Sequence, residues 1–301
     1  MSQRSDERVT LRTLRRMKAA GEPFACLTSY DATTAAWLDR AGVPVLLVGD
    51  TAAEVVLGYD RTIDMPLDAS VMLTAAVRRG AANALVMGDM PFLSYGVDES
   101  DSIRNAGRLM TEGRADVVKI EADASHAGLV GQMSRAGIAV CAHVGSRPQT
   151  AALSGGYGSA GRTAAEAARI IEDARALEDA GAVLLLIEAV PEAVTERVMA
   201  GAGVPVIGIG AGTACDGQIL VLHDLIGLTD APPRFAARSA DLGSALTAAG
   251  RDWVERVGRR EIGGRGYEMA EGESERFAEY LGSGPRLADQ EPGAGRPSLQ
   301  G

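Results

Sequence analysis

Five apolar runs in this sequence each end in an ionisable side chain: Leu46-Leu47-Val48-Gly49-Asp50, Leu85-Val86-Met87-Gly88-Asp89, Val117-Val118-Lys119-Ile120-Glu121, Val140-Cys141-Ala142-His143 and Leu184-Leu185-Leu186-Ile187-Glu188. A short apolar run bounded by turn residues reads as a strand buried on both faces, the kind from which parallel sheets are built. In a closed parallel barrel all strand ends converge on one face, which is where barrel enzymes place their active sites. The pattern therefore gathers three acids, a histidine and a fourth acid around one point. It predicts an active site and, with so many acids, a metal site.

The segments between these runs have helical character. Phe24–Thr28 reads as a first strand, followed by a helix that Asp31 caps and that ends near Ala41-Gly42. The rhythm then repeats: helix near Asp68–Arg79 and strand Ala84–Met87; helix near Glu99–Glu112 and strand Val117–Ile120; helix near Ser125–Ala136 and strand Ala139–Ala142. Helix Ala164–Ala180 with strand Val183–Ile187, and helix Pro191–Ala200 with strand Val206–Ile209, complete the series. Helices stop at small-residue turns such as Arg40-Ala41-Gly42-Val43, where glycine takes the left-handed conformation at no steric cost. Such alternation implies an α/β fold with a parallel sheet. Seven strands plus a weaker eighth at Ile219–Leu222 favour a closed (β/α)8 TIM barrel over an open sheet. The 301 residues suit one barrel of about 250 residues with extensions. A single barrel domain is expected over 1–281, opening with a short helix at Leu11–Ala20. Residues 282–301, rich in Gly, Pro and polar side chains, are expected to form a flexible tail.

Forty acidic against thirty basic residues, without a clustered Lys/Arg stripe, argue against nucleic acid or an anionic membrane as partner and favour a small-molecule substrate. The charged N-terminus lacks an apolar stretch behind it, and no run approaches the roughly 18 apolar residues of a membrane span. A cytoplasmic protein is expected. Cys26 and Cys141 lie in strand-like runs and Cys215 in a loop, without the spacing of a zinc knuckle or disulfide framework. Gly208-Ile209-Gly210-Ala211-Gly212 resembles a dinucleotide fingerprint, but Thr213 stands where the third glycine belongs, so it reads as a tight loop at the barrel mouth.

Asp50 and Asp89 at neighbouring strand ends, with Glu121 on the next, suit a hard divalent cation such as Mg²⁺, which takes oxygen ligands and keeps waters for substrate to displace. Lys119 lies two residues before Glu121 and points to the same side, as an anchor for an anionic substrate group or as a structural partner of the acids. Glu188 ends the most apolar run, where burial raises a carboxylate toward the range useful to a general base. Of the three histidines, His143 belongs in the pocket; His126 and His223 read as capping or packed imidazoles.

Several stretches resemble the ketopantoate hydroxymethyltransferase (3-methyl-2-oxobutanoate hydroxymethyltransferase) family over roughly Val9 to Tyr280. They include Leu27-Thr28-Ser29-Tyr30-Asp31, Val48-Gly49-Asp50-Thr51, Gly88-Asp89-Met90-Pro91-Phe92, Val118-Lys119-Ile120-Glu121, Gly155-Gly156-Tyr157 with Gly161-Arg162, Glu188-Ala189-Val190-Pro191, and Gly208–Gly212 followed by Cys215–Asp224. The resemblance implies a (β/α)8 barrel of the phosphoenolpyruvate/pyruvate-like superfamily that assembles into a homo-oligomer, typically a decamer. It implies Mg²⁺ held by Asp50 and Asp89 with Glu121 near its water shell, and a 2-oxo acid bound with help from Thr51, Lys119 and His143. Glu188 would take the C3 proton, and 5,10-methylenetetrahydrofolate would supply the one-carbon unit. The surroundings depart from the family pattern. Ala53 and Glu54 replace the usual Gly and Met, Leu73 the usual His, and Gly158 the usual Lys. These changes suggest a paralogue acting on a related 2-oxo acid, with Glu54 either meeting a polar group on it or facing solvent or another subunit. A Mg²⁺-dependent lyase or mutase of the phosphoenolpyruvate mutase and isocitrate lyase type, or a non-catalytic paralogue, is the alternative.

Overall fold

The computed structural model describes residues 8–264 and 266–282. The chain divides into two compact units, Met1–Ala245 and Leu246–Gly301. Sequence reasoning places 1–281 in one domain; all eight strands fall in the first unit. The expected tail beyond Gly282 lies outside the described residues.

In chain order the elements are α1 (Leu11–Ala20), β1 (Phe24–Thr28), α2 (Ala32–Ala41), β2 (Val45–Val48), α3 (Ala52–Val55), α4 (Leu67–Gly80), β3 (Leu85–Asp89), α5 (Glu99–Thr111) and β4 (Val117–Glu121). They continue with α6 (Ala127–Arg135), β5 (Val140–Gly145), α7 (Ala164–Asp179), β6 (Leu184–Glu188), α8 (Glu192–Gly201), β7 (Val206–Ile209), β8 (Gly217–Leu220), α9 (Leu222–Leu225), α10 (Leu242–Gly258) and α11 (Glu273–Gly282). Every strand pairs in parallel with its sequence neighbours, and β1 pairs with β8, so the sheet closes into the expected barrel. The helices begin and end on the residues that chemistry favours. Asp31 and Asp98 accept backbone N–H groups at the starts of α2 and α5, Thr163 forms a capping box with Glu166 on α7, and Gly21 and Gly42 close α1 and α2 in the left-handed conformation.

Alternation along each strand explains how the core leads into the site. Side chains two apart point to the same face. Val45, Leu47, Leu85, Met87, Val117, Cys141, Leu184, Leu186, Ile207 and Ile219 fill the barrel interior, and Leu14 from α1 joins the same cluster. Two residues beyond Met87, Val117, Cys141 and Leu186 come Asp89, Lys119, His143 and Glu188. The inward rows that are apolar at depth thus become ionisable at their C-terminal ends.

Two boundaries differ from the sequence reading. The eighth strand is Gly217–Leu220, two residues earlier than expected. Gly217 lies against the Phe24 ring, where an added Cβ would sit 2.4 Å from a ring carbon, while Leu222 N–H bonds the Thr28 hydroxyl and turns the chain into α9. The helix expected from Ser125 opens instead with a 3-10 turn at Ala124–His126, capped by Asp123. Helices α3 and α9, four residues each, are too short to carry a periodic signal.

The α2 and α4 helices touch at Gly80, where an added Cβ would lie 2.0 Å from the Ala32 carbonyl oxygen. A helical Gly→Ala change ordinarily gains about 1 kcal/mol. Here the clash is with rigid backbone, so Gly80→Ala is expected to destabilise the protein by about 1–3 kcal/mol. A lowered midpoint in thermal or urea denaturation checks this; a raised midpoint contradicts it.

Candidate active site

The strand ends bring six of the sequence-predicted residues together. Asp50, Asp89, Lys119, Glu121 and His143 are all buried, and the Glu188 side chain is 22% exposed. Asp89, Lys119, Glu121, His143 and Glu188 come from β3, β4, β5 and β6. Asp50 follows β2 by one turn residue and leads into α3, whose N-terminal neighbour Thr51 is half-buried.

Lys119 Nζ donates to Asp89 Oδ2 at 2.7 Å, and the Asp50 backbone N–H donates to the same oxygen at 3.3 Å. Asp89 Oδ1 is buried and has no hydrogen-bond partner. His143 stands between two carboxylates, with Nε2 3.4 Å from Glu188 Oε2 and Nδ1 3.9 Å from Glu121 Oε1. Neither ring nitrogen makes a hydrogen bond. Burial, reinforced by the Lys119 charge, holds the imidazole well below its usual pKa, so it is neutral.

The acids respond to the same environment. Burial raises Asp89, against the opposing pull of the Lys119 ammonium. Burial also raises Glu121 well above the ordinary carboxylate range, with Asp50 and Asp89 adding to the effect. Glu188 is pushed up to about 7, chiefly by burial; Lys119 opposes this while Asp50 and Asp89 add to it. For Lys119, burial favours the neutral amine, but Asp89, Asp50 and Glu121 outweigh it and the net shift is upward. A charged lysine held against Asp89 therefore acts on Glu188, a carboxyl poised to gain or lose a proton near neutrality.

Among the described residues, no three His, Cys, Asp or Glu side chains are spaced as a complete metal shell. The cradle offers instead Asp50 and Asp89, the latter with an orphaned oxygen, and Glu121 beyond. Two carboxylates that leave the remaining positions to water and substrate oxygens are the donor set that Mg²⁺ accepts.

Two residues that sequence reasoning missed complete the constellation. Tyr95 is buried in the loop after β3, and Gln149 in the 3-10 segment Pro148–Ser154 of the connection after β5. Gln149 Nε2 donates to Asp50 Oδ2 at 2.9 Å, its backbone N–H donates to Glu121 Oε2 at 3.0 Å, and its side-chain oxygen accepts from Tyr95 at 2.8 Å. Loop residues carry no periodicity, so only their place in βα loops at the C-terminal face could have pointed to them. His126 contacts Asp123 at 3.0 Å and helps cap the 3-10 turn, and His223 is half-buried against the Tyr30 ring, both in agreement with the capping and packing roles expected. Glu54 is half-buried on α3, and burial together with Asp50 and Asp224 raises its carboxyl.

Beside the site opens a cavity of about 920 Å³, lined by Ala122, Asp123, Gly145, Arg147, Arg169 and the glycine-rich segment 155–161. Gly145 has φ +94°, and a Cβ there would lie 2.6 Å from the Glu188 carbonyl, so this wall must be glycine to pass so close to the strand that carries Glu188.

The sequence profile described as ketopantoate hydroxymethyltransferase matches residues 8–263. The chain belongs to the ketopantoate hydroxymethyltransferase family. Among its relatives, the 3-methyl-2-oxobutanoate hydroxymethyltransferase of Halorhodospira halophila is 46% identical over 250 residues, covering 83% of this chain and 90% of the relative. The enzyme of the same name from Hyperthermus butylicus is 41% identical over 291 residues, covering 96% of this chain and 98% of the relative. Solved structures share the fold at much lower identity. The phosphoenolpyruvate phosphomutase of Streptomyces platensis subsp. rosaceus superposes with a TM-score of 0.58 at 13% identity, covering 91% of this chain and 98% of that one. A 2,3-dimethylmalate lyase of the PEP mutase/isocitrate lyase superfamily gives 0.54 at 20% identity, covering 91% and 99%. As a member of this family the chain is an enzyme, a transferase of hydroxymethyl groups. All three cysteines are buried, and burial raises each thiol, those of Cys141 and Cys215 to about 12, so none is a ready thiolate. No helix among the described residues is long and apolar enough to cross a membrane.

Proposed function

We propose that this enzyme transfers a hydroxymethyl group from 5,10-methylenetetrahydrofolate to C3 of 3-methyl-2-oxobutanoate, with Mg²⁺ in the Asp50 and Asp89 cradle and Glu188 as the base. The observation that carries the reading is the cluster at the strand ends: Glu188 stands 3.4 Å from His143, and Asp89 is held by Lys119 at 2.7 Å and by the Asp50 backbone N–H at 3.3 Å. A bound Mg²⁺ would supply Lewis-acid stabilisation of the negative charge that develops on the keto oxygen of the substrate.

The residues supply the rest. Lys119 offers its cationic head to the substrate carboxylate or keto oxygen, and Thr51 its hydroxyl. Glu188 accepts the C3 proton, a transfer for which a pKa near neutrality is well matched. Neutral His143, its Nε2 3.4 Å from Glu188 Oε2, places no second positive charge beside the base. Water adds to the methylene carbon of the donor as its two C–N bonds break, which releases tetrahydrofolate and leaves the carbon at the oxidation level of formaldehyde; C3 bonds to that carbon, and its oxygen takes the proton held by Glu188 to become the hydroxyl. The 920 Å³ cavity, whose wall includes Gly145, the strand partner of Glu188, is large enough for the donor's ring system, and Arg147 and Arg169 on its wall suit the donor's carboxylates. The test is incubation with donor labelled with ¹³C at the methylene carbon. A ¹³C hydroxymethyl signal on the 2-oxo acid supports the reading; unlabelled acid and unchanged donor refute it. Running the assay also with acids bearing a polar C4 group shows whether Glu54 adds selectivity, since Glu54→Met would then change their ranking.

The pH dependence follows from sign. Glu188 must be ionised to accept a proton, so kcat/KM is expected to fall as pH drops through about 7. A cation in the cradle favours the ionised carboxylate, so saturating Mg²⁺ is expected to move that acidic limb to lower pH. A limb that stays fixed as Mg²⁺ is varied contradicts this.

A further inference from the structure

Gln149 is buried, and its side-chain amide and backbone N–H are committed to the walls of the site. Its side-chain nitrogen has two hydrogens, one given to Asp50 Oδ2 at 2.9 Å and the other to the Met90 carbonyl at 3.0 Å. Its side-chain oxygen accepts from the Tyr95 hydroxyl at 2.8 Å, the nearer of the two acceptors of that hydrogen, the other being the Glu121 carbonyl at 3.1 Å, and Tyr95 in turn accepts the Glu121 backbone N–H at 3.0 Å. The amide cannot be reversed, because its oxygen would then face a carboxylate and a carbonyl and its nitrogen would lose both acceptors. Its backbone N–H completes the set by donating to Glu121 Oε2 at 3.0 Å. One residue therefore fixes the carboxylate planes of Asp50 and Glu121 together. It does so from the 3-10 segment Pro148–Ser154, which continues directly into the glycine-rich wall of the large cavity.

We propose that Gln149 is a positioning residue for the cation cradle, holding Asp50 and Glu121 in one arrangement and tying that arrangement to the Pro148–Ser154 segment. This rests on the reading of Asp50 and Asp89 as cation ligands. A buried glutamine placed only to satisfy the Met90 carbonyl would leave the acids to orient themselves. Here it spends a hydrogen on a carboxylate, and a backbone donor on another, in a site where three acids repel one another. Groups that hydrogen-bond a metal's ligands commonly contribute 10- to 100-fold to its affinity.

The test uses Mn²⁺ as probe, followed by electron paramagnetic resonance of the free ion, on the full-length wild-type protein, Gln149→Leu, Tyr95→Phe and Asp50→Asn. Gln149→Leu keeps the side chain's bulk and is expected to weaken Mn²⁺ binding roughly 10- to 100-fold. Tyr95→Phe removes only the hydroxyl that braces the amide and is expected to cost about fivefold. Binding within twofold of wild type in both variants, with only thermal stability lowered, would overturn the proposal and leave Gln149 a packing residue. Should Gln149→Leu fail to fold, amide hydrogen exchange in the wild type decides. Mn²⁺ or Mg²⁺ at saturation should slow exchange across Pro148–Ser154, and unchanged exchange there overturns the coupling. Wild-type protein that binds no Mn²⁺, or Asp50→Asn that binds it as well as wild type, would refute the cradle itself rather than the role of Gln149.

Discussion

Replacing Glu188 with Gln is expected to lower kcat about 10²- to 10⁴-fold while leaving affinity for the 2-oxo acid within a few fold. The amide keeps the shape and the neighbour at 3.4 Å, His143 Nε2, but cannot take a proton. Nothing else in the pocket replaces it well. His143 is held neutral and lies between Glu121 and Glu188, and Glu121 is itself raised by burial and has one oxygen committed to the Gln149 backbone. Steady-state kinetics with calorimetric binding of 3-methyl-2-oxobutanoate separates the two effects. A large rise in KM with kcat unchanged would make Glu188 a binding group instead of a base.

Lys119→Met is expected to be the most damaging single change to the fold of the site. The lysine is buried against Asp89 and is the ammonium hydrogen-bonded to it. Removing one partner of a buried ion pair typically costs about 3–5 kcal/mol, because the other charge is stranded. The sign with pH is fixed. Without the lysine, Asp89 and Glu121 rise further, so the deficit is small while both are protonated in the folded wild type and grows as pH rises through about 7, where Asp89 ionises. Divalent cation should offset part of it, because a positive charge in the cradle replaces the one lost. Denaturation with and without Mg²⁺ at pH 5 and pH 8 reads both effects. A deficit independent of pH and of Mg²⁺ would mean that Lys119 matters through packing alone.

The features of this chain differ in how openly the sequence displays them. Strands β2 to β7 were legible because each is an apolar run between helices of regular pitch, and their closure into a barrel follows from their number and alternation with helices. The ionisable strand ends were legible for the same reason. Period two carries the inward row from Met87 to Asp89 and from Leu186 to Glu188 without any further signal. The eighth strand was misplaced by two residues because its start is set by Phe24 packing on Gly217, a contact between residues 193 apart in sequence. Tyr95 and Gln149 were invisible because hydrogen bonds such as Gln149 to Asp50 join positions 99 residues apart and leave no local pattern. The charges themselves can be read from the sequence, but burial raises the Glu188 carboxyl, and the fold sets Asp50 against Asp89.

The most direct measurement of the proposed chemistry is exchange of the C3 hydrogen of 3-methyl-2-oxobutanoate in deuterium oxide, followed by NMR without folate. Proton abstraction precedes carbon transfer, so exchange should appear with wild-type enzyme and Mg²⁺, vanish on chelation, and vanish in Glu188→Gln even with Mg²⁺ present. Exchange that persists in Glu188→Gln at the wild-type rate, or that is indifferent to the cation, would contradict both the assigned base and the cradle.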